Sequence, residues 1–335
     1  MMRIRPVKPK DHKEVLALAQ IAGIGMSSLP PDAEVLRRKI DNAVRSFEGK
    51  PIHPHEESFL FVMEDTEKRQ LVGTAGIVAH VGLRRPFYSY KLSTITQASS
   101  GVDIYSQQHV LHMVNDYTNA TELGSLFLHP DYRRDGIGKM LSRSRYLMIA
   151  EFPKLFSDVI ISEIRGVQDK DGHSPFYNNI AKHFFKMEFK QADYIYATQG
   201  AQFIADLMPR YPIYVNLLPK EAQDVIGVPF DASQGAMKLL KSEGFHYHGY
   251  VDLFDAGPTM QADRRDIRSI RKSHKAEVLG VRDVRSDSHI ICNTQLKDFA
   301  VVSGSVAVED NGVVITPEIA KALGVKKGDM VRYVA

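Results

Sequence analysis

Three residues in one turn are spaced to bind a phosphate group. Arg133, Gly136 and Gly138 form the pattern R-x-x-G-x-G between the apolar run LFL and a segment with helical periodicity. Glycines let the main chain approach a ligand closely, and the first amides of a helix lack internal partners and lie at its positive end. The neighbouring Arg134 adds a second positive charge. The pattern predicts a phosphate site at the start of a helix.

The strand before this turn extends the predicted site. Leu126 and Leu128 lie on it, and exposed strand backbone can pair with an extended ligand that carries amide groups. Pyrophosphate joined to an amide-bearing arm describes coenzyme A. A simple helix-starting turn is the alternative. A dinucleotide-binding βαβ unit is disfavoured, because it needs its glycines after the first strand and an acidic residue further along the chain.

Carboxylates supply the second chemical signal. Glu163 is a charged residue inside the apolar run VIISEIRGV, which makes it a candidate general base. The alternative for Glu163 is a salt bridge with Arg165 or Arg145. Asp252 and Asp255 flank a later turn and are spaced to hold a guanidinium group, although plain turn-forming aspartates would look the same.

No metal site is expected. His246 and His248 alternate on a predicted strand, as a pair of metal ligands would. No third ligand at a suitable spacing accompanies them. The loop residue His173 is interpreted as an ordinary exposed histidine.

Strands and helices must position these residues. The sequence predicts a first strand at MMRIRPV, a helix capped by Asp11 and a second helix over DAEVLRRKIDNAVRSF. The runs SFLFVMED and LVGTAGIVAHVG predict a hairpin, and TELGSLFLHP predicts the strand that leads into the glycine turn. An amphipathic helix from Gly136 and the strand SDVIISEIRGV follow. The predicted strands and helices are therefore mixed along the chain.

The final sixty or so residues differ from the rest. Short strand-like runs, with a brief helix capped by Thr316 and begun by Pro317, predict a small β-barrel-like module over residues 276–335. Its sequence resembles swapped-hairpin modules that some regulators use to bind DNA or partner proteins. A structural role or an oligomer contact is the preferred interpretation, because the net charge of the whole chain is only +3.

Composition narrows the class of protein. The chain has 335 residues, 44% of them hydrophobic, which is enough for more than one core. The single cysteine, Cys292, excludes an internal disulfide, and the polar start lacks the apolar segment of a signal peptide. The basic stretch RRDIRSIRKSHK is interpreted as a solvated helical face that carries Arg264, Arg268, Arg271 and Lys275. We expect a cytoplasmic protein that binds neither a membrane nor nucleic acid.

The strand, glycine turn and helix resemble the acyl-CoA-binding motif of the GNAT superfamily of N-acyltransferases. Such chains commonly continue with a helix that ends near a G-F dipeptide and then a strand, and SQGAMKLLKSEGFHYHGYVDLFD has that form. The resemblance implies an α+β fold of GNAT type over residues 1–275. A helical insertion over about residues 168–231 would interrupt that fold and cover the acceptor site.

Several separated motifs narrow the resemblance further. In chain order they are RPV, SLP, ELGSLFLHPDYRRDG, SPF, ADLMPRYPIY, EAQDVIG and DLFDAGPT. Together they resemble the bacterial arginine N-succinyltransferases over nearly the whole chain. The family activity implied is transfer of a succinyl group from the co-substrate succinyl-CoA to the α-amino group of L-arginine. Ornithine or another basic amino acid is the alternative acceptor, a non-catalytic regulator is the alternative from another class, and a homo-oligomer is expected.

The resemblance also implies roles for single residues. Ser174, in SPF, is assigned to the substrate site, and the Leu126 amide is the candidate contact for the thioester. The family commonly has a histidine, regarded as a proton donor, where this chain has Phe230. That role cannot be carried over, but a thiol with a pKa of about 8.5 is a fair leaving group without help. The family also commonly has two glycines where this chain has Ala256 and Gly257.

Overall fold

The structure is a computed structural model that describes residues 1–23, 25–134, 136–169 and 171–335. Its strands are β1 (Met2–Pro6), β2 (Ser58–Asp65), β3 (Gln70–Val78), β4 (Ser89–Ser99), β5 (Ile104–Val114), β6 (Thr121–Leu128), β7 (Val159–Glu163), β8 (Ile213–Tyr214), β9 (His246–Val251), β10 (Pro258–Asp263), β11 (His274–Val281), β12 (Ser288–Asn293), β13 (Val301–Glu309), β14 (Gly312–Ile315) and β15 (Met330–Val334). Its α-helices are α1 (His12–Ala22), α2 (Ala33–Phe47), α3 (Ile137–Glu151), α4 (Pro175–Asn179), α5 (Ala181–Phe185), α6 (Phe189–Gln199), α7 (Gln202–Leu207), α8 (Lys220–Gln223), α9 (Gln234–Glu243), α10 (Arg268–Arg271) and α11 (Pro317–Leu323). Among the described residues, none of these helices combines the length and the apolar character that crossing a membrane requires.

The described strands form one continuous sheet, so the predicted mixture of helices and strands is confirmed. Its order is β12-β15-β11-β14-β13-β1-β2-β3-β6-β7-β10-β9-β4-β5-β8. Neighbouring strands are antiparallel except for the parallel pairs β6–β7 and β11–β14. The predicted hairpin of β2 and β3 is also confirmed, since the two strands pair from Ser58 opposite Val78 to Asp65 opposite Gln70.

The sheet splits between β6 and β7. The two strands pair only at Thr121 with Ile160 and at Glu122 with Ile161, although β6 continues to Leu128. Over its whole length β7 also pairs with β10 on its other side. Space therefore opens beside the carboxyl ends of this parallel pair, where open sheets commonly bind ligands.

Helices cover both faces of the sheet beside this split. Leu60 and Val62 of β2 pack in a core that includes residues of α1 and α2, whereas Phe61 packs with residues of α3. Successive strand residues point to opposite faces, so α3 lies on the face opposite α1 and α2. Leu240 of α9 packs in the same core as α3.

The aspartates that precede α1 and α2 differ in whether they cap their helix, and the sequence predicts a cap only for Asp11. Asp32 caps α2, because its side chain accepts hydrogen bonds from the amides of Glu34 and Val35 at 3.0 and 2.9 Å. Asp11 precedes α1 as predicted, but the cap itself is wrong. Its carboxylate instead accepts two hydrogen bonds from the buried guanidinium of Arg5, at 2.7 and 3.1 Å. A charged partner that shares the same burial binds Asp11 in place of the free amides of the helix.

A run of short helices lies between β7 and α9. Helices α4 to α7 pack around a separate aromatic core that includes Tyr177, Phe185 and Phe254. The rings of Tyr177 and Phe254 stack with centroids 6.3 Å apart. This helical segment also packs against Tyr90 of β4 and Leu111 of β5.

The predicted small barrel at the end of the chain is confirmed. The strand order β12-β15-β11-β14-β13 closes on itself, because β12 also pairs with β13. Thr316 accepts a hydrogen bond from the amide of Ile319 at 3.3 Å, and α11 begins at Pro317 as predicted. The barrel joins the rest of the sheet through pairing of β13 with β1.

The helical face predicted over residues 264–275 is wrong. Helix α10 spans only Arg268–Arg271, and Arg264 lies directly after β10. Lys275 lies on β11, which pairs with β15 of the barrel. Strand pairing with a segment more than fifty residues away therefore overrides the local periodicity.

Candidate active site

All six residues predicted to bind coenzyme A line one open cavity of about 570 Å³, which we call the basic groove. The groove lies between the end of β6, the start of α3 and α9. Lys139 of α3 and Arg165, which follows β7, add two more positive charges, and none of its described lining residues is acidic. The six predicted residues are Leu126, Leu128, Arg133, Arg134, Gly136 and Gly138.

The two glycines of the turn meet different requirements. Gly136 precedes α3 with φ at 75°, a left-handed conformation that glycine adopts without strain. A Cβ atom built on Gly138 would contact only Leu128, at 3.8 Å. Packing of this chain therefore does not demand glycine at position 138, and the space beside it is open to a ligand. Arg133 donates a hydrogen bond through Nε to the Leu128 carbonyl oxygen at 3.0 Å, which fixes the turn against β6.

A β-bulge interrupts β6 where the groove reaches the split in the sheet. Between the pairs Gly124–Gly76 and Phe127–Thr74, β6 has two residues opposite a single residue of β3. The first of these, Ser125, has φ at 51°, a strained value for a residue with a side chain. The second is Leu126. Bulges redirect the backbone and commonly lie beside active sites.

Side chains from two other segments hold this bulge. Ser28 Oγ accepts a hydrogen bond from the Ser125 amide at 3.0 Å, and Ser125 Oγ donates to the Ser28 carbonyl oxygen at 2.7 Å. Thr74 Oγ1 donates to the Ser125 carbonyl oxygen at 2.8 Å. These three hydrogen bonds stabilise the strained backbone at the point where β6 leaves β7.

A second cavity, of about 150 Å³, passes through the split, and we call it the acidic cavity. It adjoins the basic groove, because Leu126, Arg165 and Ser233 line both. Its carboxylates come from β6, β7, α6 and the turn between β9 and β10. They are Glu122, Glu163, Asp193, Asp252 and Asp255.

Glu163 is the last residue of β7 and faces the acidic cavity. Burial raises its pKa well above the ordinary value, and the negative charges of Asp252, Glu122 and Asp255 raise it further. Within the part of the chain that the structure describes, no ion pair joins Glu163 to Arg165 or Arg145. A carboxyl group with a raised pKa can act as a proton acceptor near neutral pH.

Asp252 and Asp255 both line the acidic cavity and also hold the turn that contains them. Asp252 Oδ1 accepts the amides of Phe254 and Asp255 at 2.7 and 3.0 Å. Asp255 accepts the amides of Gly166 and Gly257, both at 2.8 Å. Burial raises the pKa of both carboxyl groups, and for Asp255 the charge of Asp252 adds to that effect. The predicted pair therefore has a structural role as well as a place at the cavity.

Three residues that line the acidic cavity were not predicted from the sequence. Asp193 and Tyr196 lie one turn apart on α6, which reads as an ordinary helix, and Glu122 lies on β6. Burial, with a contribution from the charge of Asp252, raises the pKa of Asp193 to about 6. Burial also raises the pKa of the Tyr196 hydroxyl. Only the folded chain brings α6 next to β6 and β7, so spacing in the sequence held no signal for this group.

Two arginines line the acidic cavity in different surroundings. Burial lowers the pKa of Arg165, while Asp255 and Asp193 oppose that effect with their negative charges. Burial also lowers the pKa of Arg145, which lies on α3 and is 1% exposed. Arg145 occupies a core position of the apolar pattern of α3, and a charged residue at such a position is a signal that the sequence did contain.

Two residues singled out from the resemblance lie outside the lining of both cavities. Ser174 is buried and caps α4, where its Oγ accepts the Tyr177 amide at 3.4 Å. The structure therefore does not bring the predicted substrate residue Ser174 to the site. Phe230 contacts Arg165, which lines both cavities, with its ring 5.8 Å from the guanidinium carbon. Ala256, where the family commonly has glycine, is buried with φ at 55°.

An exposed group of three potential metal ligands lies away from both cavities. Asp169, Asp171 and His173 have ligand atoms within 4.8 Å of one another. His173 Nδ1 lies 3.0 Å from Asp169 Oδ2. Exposed acidic groups of this kind are common without an ion, and no role is assigned to this one.

A basic groove that meets an acidic cavity at a split in the sheet defines an enzyme with a donor side and an acceptor side. Comparison with known proteins gives its class. The family model described as arginine N-succinyltransferase beta subunit matches residues 2–269, and the model of that family's C-terminal domain matches residues 274–335. The protein is an acyltransferase, and the chain belongs to the arginine N-succinyltransferase family.

Individual relatives agree with this assignment. The chain is 39% identical to an arginine N-succinyltransferase of Yersinia pseudotuberculosis serotype O:3 (strain YPIII), with 100% of this chain and 98% of the relative covered. It is 38% identical to one of Escherichia coli (strain 55989 / EAEC), with 100% and 97% covered. The solved structure of arginine/ornithine succinyltransferase subunit AI from Pseudomonas aeruginosa matches with a TM-score of 0.91 and 35% identity, over 100% of this chain and 98% of that one. The resemblance found from the sequence motifs is confirmed.

Proposed function

We propose that this protein transfers the succinyl group of succinyl-CoA to the α-amino group of L-arginine. The observation that carries the proposal is the junction of the two cavities. The basic groove and the acidic cavity share Leu126 and Arg165 at the split between β6 and β7. A thioester that enters along the groove would meet there an amine held on the acidic side.

The basic groove suits the phosphates of coenzyme A in a GNAT-type arrangement. The positive end of α3, the open space beside Gly138 and the charges of Arg133, Arg134 and Lys139 favour an anion. The amide-bearing arm of coenzyme A would follow β6 towards the bulge at Ser125. The groove therefore holds the donor and directs its thioester into the split.

The acidic cavity suits a cationic acceptor. Five carboxylates line it and are only partly offset by two arginines. A guanidinium group can form paired hydrogen bonds with carboxylates, and the α-ammonium group of an amino acid adds a second positive charge. Binding L-arginine would therefore neutralise carboxylates that lie close together in the acidic cavity.

Glu163 accepts the proton that the α-ammonium group must lose before attack. Its raised pKa suits this task, and a water molecule can relay the proton. The amine then attacks the thioester carbonyl carbon, and the Leu126 amide at the bulge donates to the developing oxyanion. Collapse of the intermediate breaks the carbon–sulfur bond and releases CoA as a thiolate or thiol. Phe230 offers no proton to the departing sulfur, which leaves unaided.

Ornithine is the second candidate acceptor. The solved relative from Pseudomonas aeruginosa carries both arginine and ornithine in its name. A cluster of carboxylates accepts an ammonium group as well as a guanidinium group, although only the latter gains paired hydrogen bonds. We expect arginine to be preferred for that reason.

A CoA-release assay tests the proposal by crossing succinyl-CoA and acetyl-CoA with arginine, ornithine, lysine and glutamate. We expect the fastest release with succinyl-CoA and arginine, slower release with ornithine and background release with glutamate. Mass spectrometry of the product should show a succinyl group on the α-nitrogen. Background release with every combination, or a preference for acetyl-CoA, would overturn the proposal.

The proposal also covers the location, the oligomeric state and the binding partners of the enzyme. We infer a cytoplasmic homo-oligomer that needs no metal and binds no nucleic acid. The near balance of 43 basic and 40 acidic residues supports the last point. Light scattering coupled to size exclusion should give a mass at least twice the 37.7 kDa of one chain.

A further inference from the structure

Arg145 is a buried cation in the middle of α3 that lines the acidic cavity. It is 1% exposed, and its hydrogen bonds go to a neighbour on the same helix. Nε donates to the Ser142 carbonyl oxygen at 3.2 Å, and Nη2 donates to Ser142 Oγ at 3.0 Å. Both partners are neutral, and the guanidinium carbon also lies 5.9 Å from the centroid of the Tyr146 ring, so these contacts give Arg145 no anionic partner.

Arg143, on the same helix, is a buried arginine with a structural role and serves for comparison. It is 2% exposed, and its Nε donates to the carboxylate of Glu243 at 2.8 Å. Arg145, two residues later, has no carboxylate within 4.0 Å among the described residues. An isolated buried charge is costly, and proteins normally pair it or neutralise it. Of these two buried arginines on one helix, Arg143 therefore has an anionic partner and Arg145 has none.

Two other cations, Arg165 in the lining of the acidic cavity and Lys39 outside that lining, have acidic neighbours. Asp255 and Asp193 act on Arg165 with their negative charges. Lys39 of α2, which donates to the Ser28 carbonyl oxygen at 2.5 Å, feels the charge of Glu122. Arg145 differs from both, because Tyr146, and not a carboxylate, opposes the effect of burial on its pKa.

The position of Arg145 assigns it to the donor side of the split. Ile160 and Ile164 of the β7 segment pack in one core with Leu141 and Leu147 of α3. Side chains alternate along a strand, so Ser162 points to the α3 face and Glu163 to the opposite face. Arg145 thus belongs to the helix that opens the basic groove, on the far side of the sheet from Glu163.

We propose that Arg145 binds the distal carboxylate of the succinyl group and so selects this acyl donor. The inference rests on the proposed function and deepens it. A planar guanidinium pairs with a carboxylate through two parallel hydrogen bonds, and a cavity free of bulk water strengthens the pair. Acyl groups of similar length that lack the carboxylate leave the buried charge of Arg145 unpaired. Succinyl-CoA is thereby preferred over butyryl-CoA, in which a methyl group replaces the carboxylate.

Donor competition tests this assignment. The specificity constant kcat/KM is measured with succinyl-CoA and with butyryl-CoA, at saturating arginine, for the wild type and for Arg145→Met. Loss of a desolvated, charge-assisted pair should lower kcat/KM for succinyl-CoA about a hundredfold. The value for butyryl-CoA should stay constant or rise. The melting temperature without substrates should be unchanged or higher, because methionine removes an unpaired buried charge.

Arg143→Met is the matched control on the same helix. It removes the partner of Glu243 and should lower the melting temperature. The ratio of kcat/KM for succinyl-CoA to kcat/KM for butyryl-CoA, which we call the donor ratio, should remain that of the wild type. If Arg145→Met does not fold, Arg145→Lys keeps the charge without the planar fork and should lower the donor ratio by about tenfold. The KM for arginine should move little in either Arg145 variant.

The outcomes separate the two proposals. Succinyl transfer by the wild type, with an unchanged donor ratio in Arg145→Met, would overturn the role of Arg145 and leave the proposed function in place. A raised KM for arginine with an unchanged donor ratio would assign Arg145 to the acceptor's carboxylate and would also overturn it. A wild type that does not use succinyl-CoA would overturn the proposed function and this assignment together.

Discussion

Glu163 and Asp252 face the same acidic cavity, and the negative charge of Asp252 adds to burial in raising the pKa of Glu163. Replacing Glu163 with glutamine keeps the shape of the side chain and removes the proton acceptor. We expect Glu163→Gln to lower kcat roughly a hundredfold or more, with little change in KM for succinyl-CoA. The exposed Glu277→Gln on β11 serves as the control.

The pH profile sharpens this prediction. Because the pKa of Glu163 is raised, its basic form is lost as the pH falls through that raised value, and kcat/KM of the wild type should fall with it. The residual rate of Glu163→Gln should lack this acid limb. A variant with normal kcat and a lowered melting temperature would instead show that Glu163 has only a structural role.

Gly138→Val should weaken donor binding without disturbing the fold. A Cβ atom at this position meets only Leu128 in the free protein, so we expect the branches of valine to occupy the groove beside the first amides of α3. We expect KM for succinyl-CoA to rise about tenfold or more, since one good phosphate contact is worth 1.5–3 kcal/mol or so. Gly101→Val, at the tip of the β4–β5 hairpin, controls for the change of residue type. An unchanged KM for succinyl-CoA in Gly138→Val would show that this turn does not bind the phosphates of the donor.

Asp193→Asn should stabilise the free protein at pH 8. The folded-state pKa of Asp193 is about 6, above the ordinary value of 3.8. Its contribution to stability is therefore present at low pH and is lost as the pH rises through about 6. At pH 8 the variant should melt roughly 2 °C or more above the wild type, and at pH 4.5 the difference should shrink. Calorimetry on Asp193→Asn and on the exposed Asp206→Asn of α7 measures the effect, and equal shifts in both variants would contradict it.

Phe230→His should change kcat less than about tenfold, because a thiolate leaves without a strong need for a proton. The imidazole would also lie beside the guanidinium of Arg165, 5.8 Å from the present ring, which disfavours its protonated form. Steady-state rates with succinyl-CoA and arginine test this, with Phe230→Leu as the control for packing against Arg165. An inactive wild type rescued by histidine would show that the chain has kept the fold and lost the activity.

Local signals in the sequence predicted the parts of the site that are continuous in the chain. The glycine turn, the strand before it and the helix after it appear in the predicted order, because turn chemistry and helical periodicity act over a few residues. Glu163 stood out because a charge in an apolar strand is rare. Its role as a base stays a prediction.

Long-range pairing determined what the sequence did not reveal. The hairpin of β4 and β5 pairs eleven residues on each strand, but its polar sequence lacks the alternation of a half-buried strand. Asp193 reaches the cavity only because α6 packs over the split in the sheet. Ser174 satisfied a motif, yet it is buried at the start of α4, where its hydroxyl oxygen accepts the Tyr177 amide. Sequence motifs therefore predicted candidate residues, but tertiary packing determines which of them line the cavity.

The place of β1 between β2 and β13 makes the first strand of the chain a shared boundary. A chain that ended before the barrel would leave the outer edge of β1 without its partner at Arg3 and Ile4. Unpaired strand edges recruit strands from other molecules, so such a fragment would tend to self-associate. The barrel therefore covers the edge of β1 and prevents the catalytic sheet from pairing with strands of other molecules.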